Sequence, residues 1–223
     1  MPYPKKKNEN PESAGQSIVD PKTEYRSFNF EIESIEKRDD GQRKIIGHAA
    51  VFDEIGDAGW FQEIIDPGAF KKSIKNDDVR ALIDHIPHMI LGRNKSGTLK
   101  LKEDDIGLAI EINPPDTQYA RDLIVSIDRE DITQMSFSFI AIVEEWERTK
   151  ENKPDIRTLK EVKLFDVSPV TYPFYEGTDV AMRSHQLWLD ANDTQDHKRD
   201  TIRKLTINVK EITREVIENE NNS

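Results

Sequence analysis

Between about residue 26 and residue 175 the sequence runs in short stretches that alternate apolar and polar residues, separated by turn formers. A period of two places successive side chains on opposite faces of a strand, so this stretch must fold around sheet rather than helix. "RSFNFEIESIEK" passes through the turn "RDDGQ" into "RKIIGHAAVF", and "GTLKLKEDDIGLAIEIN" has the form of a hairpin. Two longer strands, "ITQMSFSFIAIVEEW" and "RTLKEVKLFDVSPVTYP", flank the turn region "RTKENKPDI". "DVRALIDHIPHMILGR" holds a short buried strand that must end before Pro87, because proline cannot donate to a ladder. Helical period appears twice. "AGWFQEIIDPGAFKKSIK" begins extended and turns helical, with Asp66 as N-cap and Pro67 at the first helical position. "PPDTQYARDLIVSIDRED" puts Ala120, Leu123, Ile124 and Ile127 on one face. The expected fold is α+β and mainly β: a curved antiparallel sheet or β-barrel with short helices.

The pattern fades at both ends. Residues 1–23 are rich in Pro, Asn, Glu, Ser and Lys with little to bury, and are expected to form a disordered arm. They hold no apolar run of the kind a secretory signal needs. Residues 24–183 form the expected folded domain. In residues 184–223 a polar linker, "SHQLWLDANDTQDHKRD", precedes an amphipathic helix in which Ile202, Leu205, Val209, Ile212 and Val216 make a narrow seam. Such a helix either docks on its own domain or associates with a partner or a second copy. A net charge of −11 argues against nonspecific binding to nucleic acid or an anionic membrane. No apolar run approaches the ~20 residues that span a bilayer. The absence of cysteine removes disulfides, thiolate metal sites and a cysteine nucleophile, and fits a reducing compartment such as the cytoplasm.

Chemistry can then sit in few places. Along "QMSFSFIAIV" one face carries Met135, Phe137, Phe139, Ala141 and Val143, and the other Gln134, Ser136, Ser138, Ile140 and Ile142. The two serines lie on a solvated face, or one of them is a nucleophile; a nucleophile needs a base held by a third polar group. Of five histidines, His185 and His197 fall in the polar tail and His48 lies within a strand. His85 lies where a buried strand gives way to a loop, a favoured position for a reactive group on a rigid scaffold. His85 and His88 also form an H-x-x-H pair, but Pro87 between them opposes the helix that would aim both at one metal. In "LKEVKLFDVSPV" alternation sets Asp166 in a stripe with Val162, Leu164, Ser168 and Val170, and sends Glu161 to the other face. A buried carboxylate demands a partner, whether a histidine that turns cationic, an arginine or backbone N–H groups.

These segments, in this order, resemble the caudovirus prohead serine protease family. "ALIDHIPHMILGR" resembles its histidine segment, with Leu91, Gly92 and Arg93 following His85 at matching distance. "QMSFSF" resembles its serine segment and aligns Ser136 with the nucleophile, leaving Ser138 where the family more often has Gly. "LFDVSPVTYPFY" resembles its acidic segment, with Asp166 where Glu is usual and Phe174 where Ala is usual. "GHAAVF", "IIDPGAF" and "DDIGLAIEI" are further landmarks, and the resemblance spans about Tyr25 to Arg183. It implies a fold related to the herpesvirus maturation protease, with helices around a β-barrel. It implies a catalytic set of Ser136, His85 and Asp166, with no metal or organic cofactor, and makes Arg93 a candidate for ordering the histidine loop. It further implies action inside the assembling prohead in the host cytoplasm, on scaffold and major capsid protein precursors and on the enzyme itself. The alternative is a noncatalytic assembly or scaffolding protein on the same fold; a metal-dependent hydrolase using His85 and His88 is a third reading.

Overall fold

A computed structural model describes residues 20, 22–37, 43–58, 60–149, 153–172 and 181–192. The strands are β1 (Glu24–Lys37), β2 (Arg43–Val51), β3 (Gly56–Asp57), β4 (Gln62–Ile65), β5 (Arg80–Ala81), β6 (Gly92–Arg93), β7 (Leu99–Glu103), β8 (Gly107–Ile112), β9 (Gln134–Glu147) and β10 (Ile156–Val170). Two helices, α1 (Lys71–Asn76) and α2 (Gln118–Asp128), interrupt them, and residues 181–192 are helical. The fold is α+β and mainly β, as the alternating pattern requires.

Pairing runs β3-β4-β10-β9-β1-β2-β8-β7, with β5 and β6 attached beside β10. Among the described residues this path does not close on itself. Nor is it wholly antiparallel, since β4 and β5 both run parallel to β10. β1 links two halves of the sheet: its first part, from Glu24 to Glu31, pairs with β9, and its second, from Ile32 to Lys37, pairs with β2. Register shifts on either side of that change bend the strand, as bulges do. The halves therefore face each other over one apolar core. Ile45, Leu108, Ile110 and Ile112 come from one half, Phe137, Phe139, Leu159 and Val167 from the other. α2 covers the core with Ala120, Leu123 and Ile127, three of the four residues its period selects; Ile124 is only half-buried.

Two local expectations change. Asp66 does not cap α1. Gly68 has φ +104, a left-handed conformation that breaks a helix, so residues 67–70 form turns and α1 begins only at Lys71. The segment 184–192, expected to be polar linker, continues the helix begun by 181. Ala181 is fully buried beside Phe61, His185 Nε2 lies 2.8 Å from Asp155 Oδ2, and the Trp188 ring is 6.3 Å from Trp146. The amphipathic stretch 202–216 and nearly all of the N-terminal arm lie outside the described residues.

The two long strands are set by composition and then by a bulge. β9 and β10 pair almost end to end, and cross-strand partners share a face. Leu164 stands opposite Phe139, but Asp166 stands opposite Ser138, which makes Phe165 an extra residue on β10. Alternation continued from Leu164 would have put Asp166 among the phenylalanines. The extra residue moves it instead to the face of the serines.

Candidate active site

The serine face of the sheet is assembled from three neighbouring strands. Across β1, β9 and β10 the register aligns Tyr25 with Ser138 and Asp166, and Ser27 with Ser136 and Ser168. This face is not solvated here: Ser27, Ser136, Ser138 and Ser168 are all buried. Buried hydroxyls need partners, and Asp166 supplies several. Ser168 donates to its Oδ1 at 2.8 Å, and Ser138 donates to its Oδ2. The Glu161 carboxylate lies elsewhere: it accepts from Lys72 Nζ at 2.6 Å, on the exposed side of α1.

His85 arrives from the other side. After β5 the chain keeps following β10, with Leu82 N–H donating to Val167 C=O at 3.1 Å and Asp84 N–H to Pro169 C=O at 3.0 Å. It then turns through two successive left-handed residues, Asp84 at φ +49 and His85 at φ +56. That region costs an L-residue about 1–2 kcal/mol, although Asp and His tolerate it better than most. The turn brings the imidazole between the serine and the carboxylate. Its Nδ1 lies 2.6 Å from Asp166 Oδ1 and its Nε2 lies 2.8 Å from Ser136 Oγ. An ionised carboxylate only accepts, so the neutral ring carries its proton on Nδ1 and presents the Nε2 lone pair to Ser136. The Ser136 hydroxyl has a second acceptor, the Arg26 carbonyl at 2.9 Å. Its one proton is therefore shared between the imidazole and β1.

The environment is largely closed. The His85 and Asp166 side chains are 7% and 11% exposed, and the Tyr25 ring sits edge-on to the imidazole with centroids 4.7 Å apart. Burial pushes the Tyr25 hydroxyl above its usual range, and the nearby charge of Asp166 pushes it the same way.

The structure thus brings Ser136, His85 and Asp166 together at hydrogen-bond distances, in the order serine, imidazole, carboxylate. It does not bring the other candidates there. His48 is buried and pairs with Asp104 on the β7–β8 turn, 2.9 Å from Oδ2. Gly107 closes that hairpin against β2, where an added Cβ would lie 2.0 Å from the Ala50 carbonyl oxygen. His88 is exposed, and among the described residues no group of three or more His, Asp or Glu side chains is arranged to hold a metal. Arg93 does not order the His85 turn. Its guanidinium grips Asp78 at 2.6 and 2.5 Å, bracing the entry to β5. Sequence reasoning missed Ser168 and Tyr25 as neighbours of the triad. Ser168 had a signal, since it shares a period-two stripe with Asp166; Tyr25 had none before the β1–β9 register was known.

Among curated proteins, none matches the sequence. Among solved structures, the fold is similar to the bacteriophage T4 capsid assembly protease gp21, with a TM-score of 0.47 and 11% identity over 68% of this chain and 98% of that one. A family model described as caudovirus prohead serine protease matches residues 28–191, which include the serine, the histidine and the aspartate. The match covers well over half of the 223 residues, and the chain belongs to the caudovirus prohead serine protease family.

Proposed function

We propose that the protein is a serine endopeptidase of phage head maturation, with Ser136 as nucleophile, His85 as general base and acid, and Asp166 as the group that orients the imidazole. The observation that carries this reading is the continuous chain Ser136 Oγ–His85 Nε2, His85 Nδ1–Asp166 Oδ1, at 2.8 and 2.6 Å. Ser136 Oγ attacks the peptide carbonyl carbon as its proton passes to Nε2, giving a tetrahedral intermediate and an imidazolium. Asp166 stabilises that cation without taking the proton, and in a poorly hydrated site its charge acts strongly. Nε2 then gives the proton to the leaving amine, which departs and leaves Ser136 acylated. A water molecule, deprotonated by the same nitrogen, releases the acid and restores the serine.

The substrates in this reading are scaffold segments and the major capsid protein precursor, cut inside the prohead in the host cell, together with sites in the enzyme's own chain. The test is cleavage of capsid precursor by wild-type protein, Ser136→Ala and Ser138→Ala, with and without chelator. Wild-type activity lost in Ser136→Ala and insensitive to chelator supports the proposal. Equal activity in Ser136→Ala overturns it, and activity that disappears with chelator and returns with zinc assigns a metal-dependent hydrolase instead. A folded wild-type protein that binds precursor without cutting it marks an assembly factor.

A further inference from the structure

We infer that Asp84 is a positioning residue for this reaction, acting through a clasp on Thr171 that fixes the turn carrying His85; the inference rests on the serine-protease reading above. His85 is not held by a regular element. β5 ends at Ala81, and the residues that follow reach the imidazole's position through consecutive left-handed conformations at Asp84 and His85. The turn closes one hydrogen bond of its own, Ile86 N–H to Ile83 C=O at 2.8 Å, but neither residue is glycine and both pay a steric penalty. Contacts outside the turn must help to hold it against that penalty.

The Asp84 carboxylate does so. It accepts the Thr171 N–H at 2.7 Å on Oδ1 and the Thr171 hydroxyl at 2.9 Å on Oδ2. Thr171 directly follows β10, the strand that carries Asp166, and Asp84 N–H is itself bonded to Pro169 C=O of that strand at 3.0 Å. The clasp therefore ties the histidine turn to the strand that holds the histidine's partner carboxylate. It fixes the distance between the two across the 2.6 Å Nδ1–Oδ1 contact, without itself touching the imidazole or a substrate. Loops gain precision in this way, from supporting hydrogen bonds behind the reacting groups.

The clasp makes separable predictions. Removing it with Asp84→Ala lets the imidazole drift, and a displacement near 1 Å costs on the order of 100-fold in turnover. The loss falls on kcat with KM unchanged, because the lost alignment acts in the transition state. Asp84→Asn restores most of the rate: its amide oxygen still accepts the Thr171 N–H, its NH₂ donates to the hydroxyl, and Asn tolerates the left-handed region. Asp84→Gly relieves the backbone penalty but has no clasp, so it stays as impaired as Asp84→Ala. Thr171→Ala, an exposed position, gives a smaller loss on kcat in the same direction.

The experiment measures kcat and KM for capsid-precursor cleavage in these full-length variants, beside Ser136→Ala. It is paired with the low-field proton resonance of the His85 Nδ1–H bonded to Asp166. Loss on kcat in Asp84→Ala and Asp84→Gly, rescue in Asp84→Asn, and a resonance that broadens away only in the unclasped variants support the inference. Wild-type kcat in Asp84→Ala, full activity in Asp84→Gly, or an unchanged resonance in both overturns it. The resonance needs no substrate, so it tests the clasp even if precursor is not cut, while activity surviving in Ser136→Ala would instead defeat the protease assignment.

Discussion

Asp166 is the residue on which the account of the site turns. Its two oxygens accept from His85, Ser168 and Ser138, so its charge is held in place from both sides. Asp166→Asn keeps the shape but can present N–H where the imidazole N–H must be accepted, which leaves the ring in the wrong tautomer or orientation. We expect up to about a 10⁴-fold loss of cleavage, whereas Glu161→Gln, at a carboxylate bonded to Lys72 on α1, stays near wild type. An independent reporter lies beside it. Tyr25 has its pKa raised by burial and by Asp166's negative charge. Removing that charge lowers the Tyr25 pKa while burial still holds it above the usual value, and an absorbance titration of Asp166→Asn against wild type measures the shift. An unmoved Tyr25 would mean that the carboxylate does not carry its charge there. The sequence made this residue legible through its segment "LFDVSPV", but for a reason only half right. Alternation assigned Asp166 to the face of Val162 and Leu164; the bulge at Phe165 delivers it to Ser138 instead. A constant period cannot register one inserted residue.

At the scale of elements, four strands are joined by charge as well as by their ladders and apolar contacts. Arg157 at the start of β10 is 1% exposed and bonds Glu24 of β1, Glu63 of β4 and Glu144 of β9. Arg26 of β1 bonds Glu63 at 2.6 Å and Glu24 at 2.8 Å. Burial alone would lower the Arg157 pKa, but these glutamates outweigh it and raise it. Arg157→Ala leaves Arg26 alone to balance the two buried carboxylates of Glu24 and Glu63, and breaking a buried pairing of this kind costs about 3–5 kcal/mol. Urea unfolding of Arg157→Ala against wild type checks this, and a midpoint within error of wild type would show that the cluster contributes nothing net. Because Arg26 also presents its carbonyl to Ser136, the network anchors one wall of the site. None of it was legible beforehand. In a chain with 34% charged residues each of these side chains reads as solvent-facing, and partners such as Arg157 and Glu24 lie 133 positions apart. What the period of two did convey was the strands themselves and the β7–β8 hairpin, since those depend on local alternation and turn residues.

For the whole molecule, the open question is where the folded unit ends. A boundary at Arg183 cuts through the helix of residues 181–192. That helix lays His185 against Trp60 and Trp146, with ring centroids 5.0 and 4.6 Å apart, and bonds Ser184 to Glu144, itself a partner of Arg157. Polar composition hid the contact, because its apolar payload is a few aromatic rings rather than a periodic stripe. We expect a chain ending at Arg183 to unfold at a lower urea concentration than one ending at Asn192, with altered Trp146 fluorescence. Equal midpoints would make 184–192 an appendage, as its composition suggests.

The central claim, a serine made nucleophilic by His85, is tested most directly by reaction with diisopropyl fluorophosphate followed by peptide mapping in the mass spectrometer. The account predicts a single phosphoryl adduct on Ser136 in the wild-type chain, with its rate reduced by several orders of magnitude in His85→Ala. An adduct on Ser138, or labelling of Ser136 at the same rate with and without His85, would contradict it.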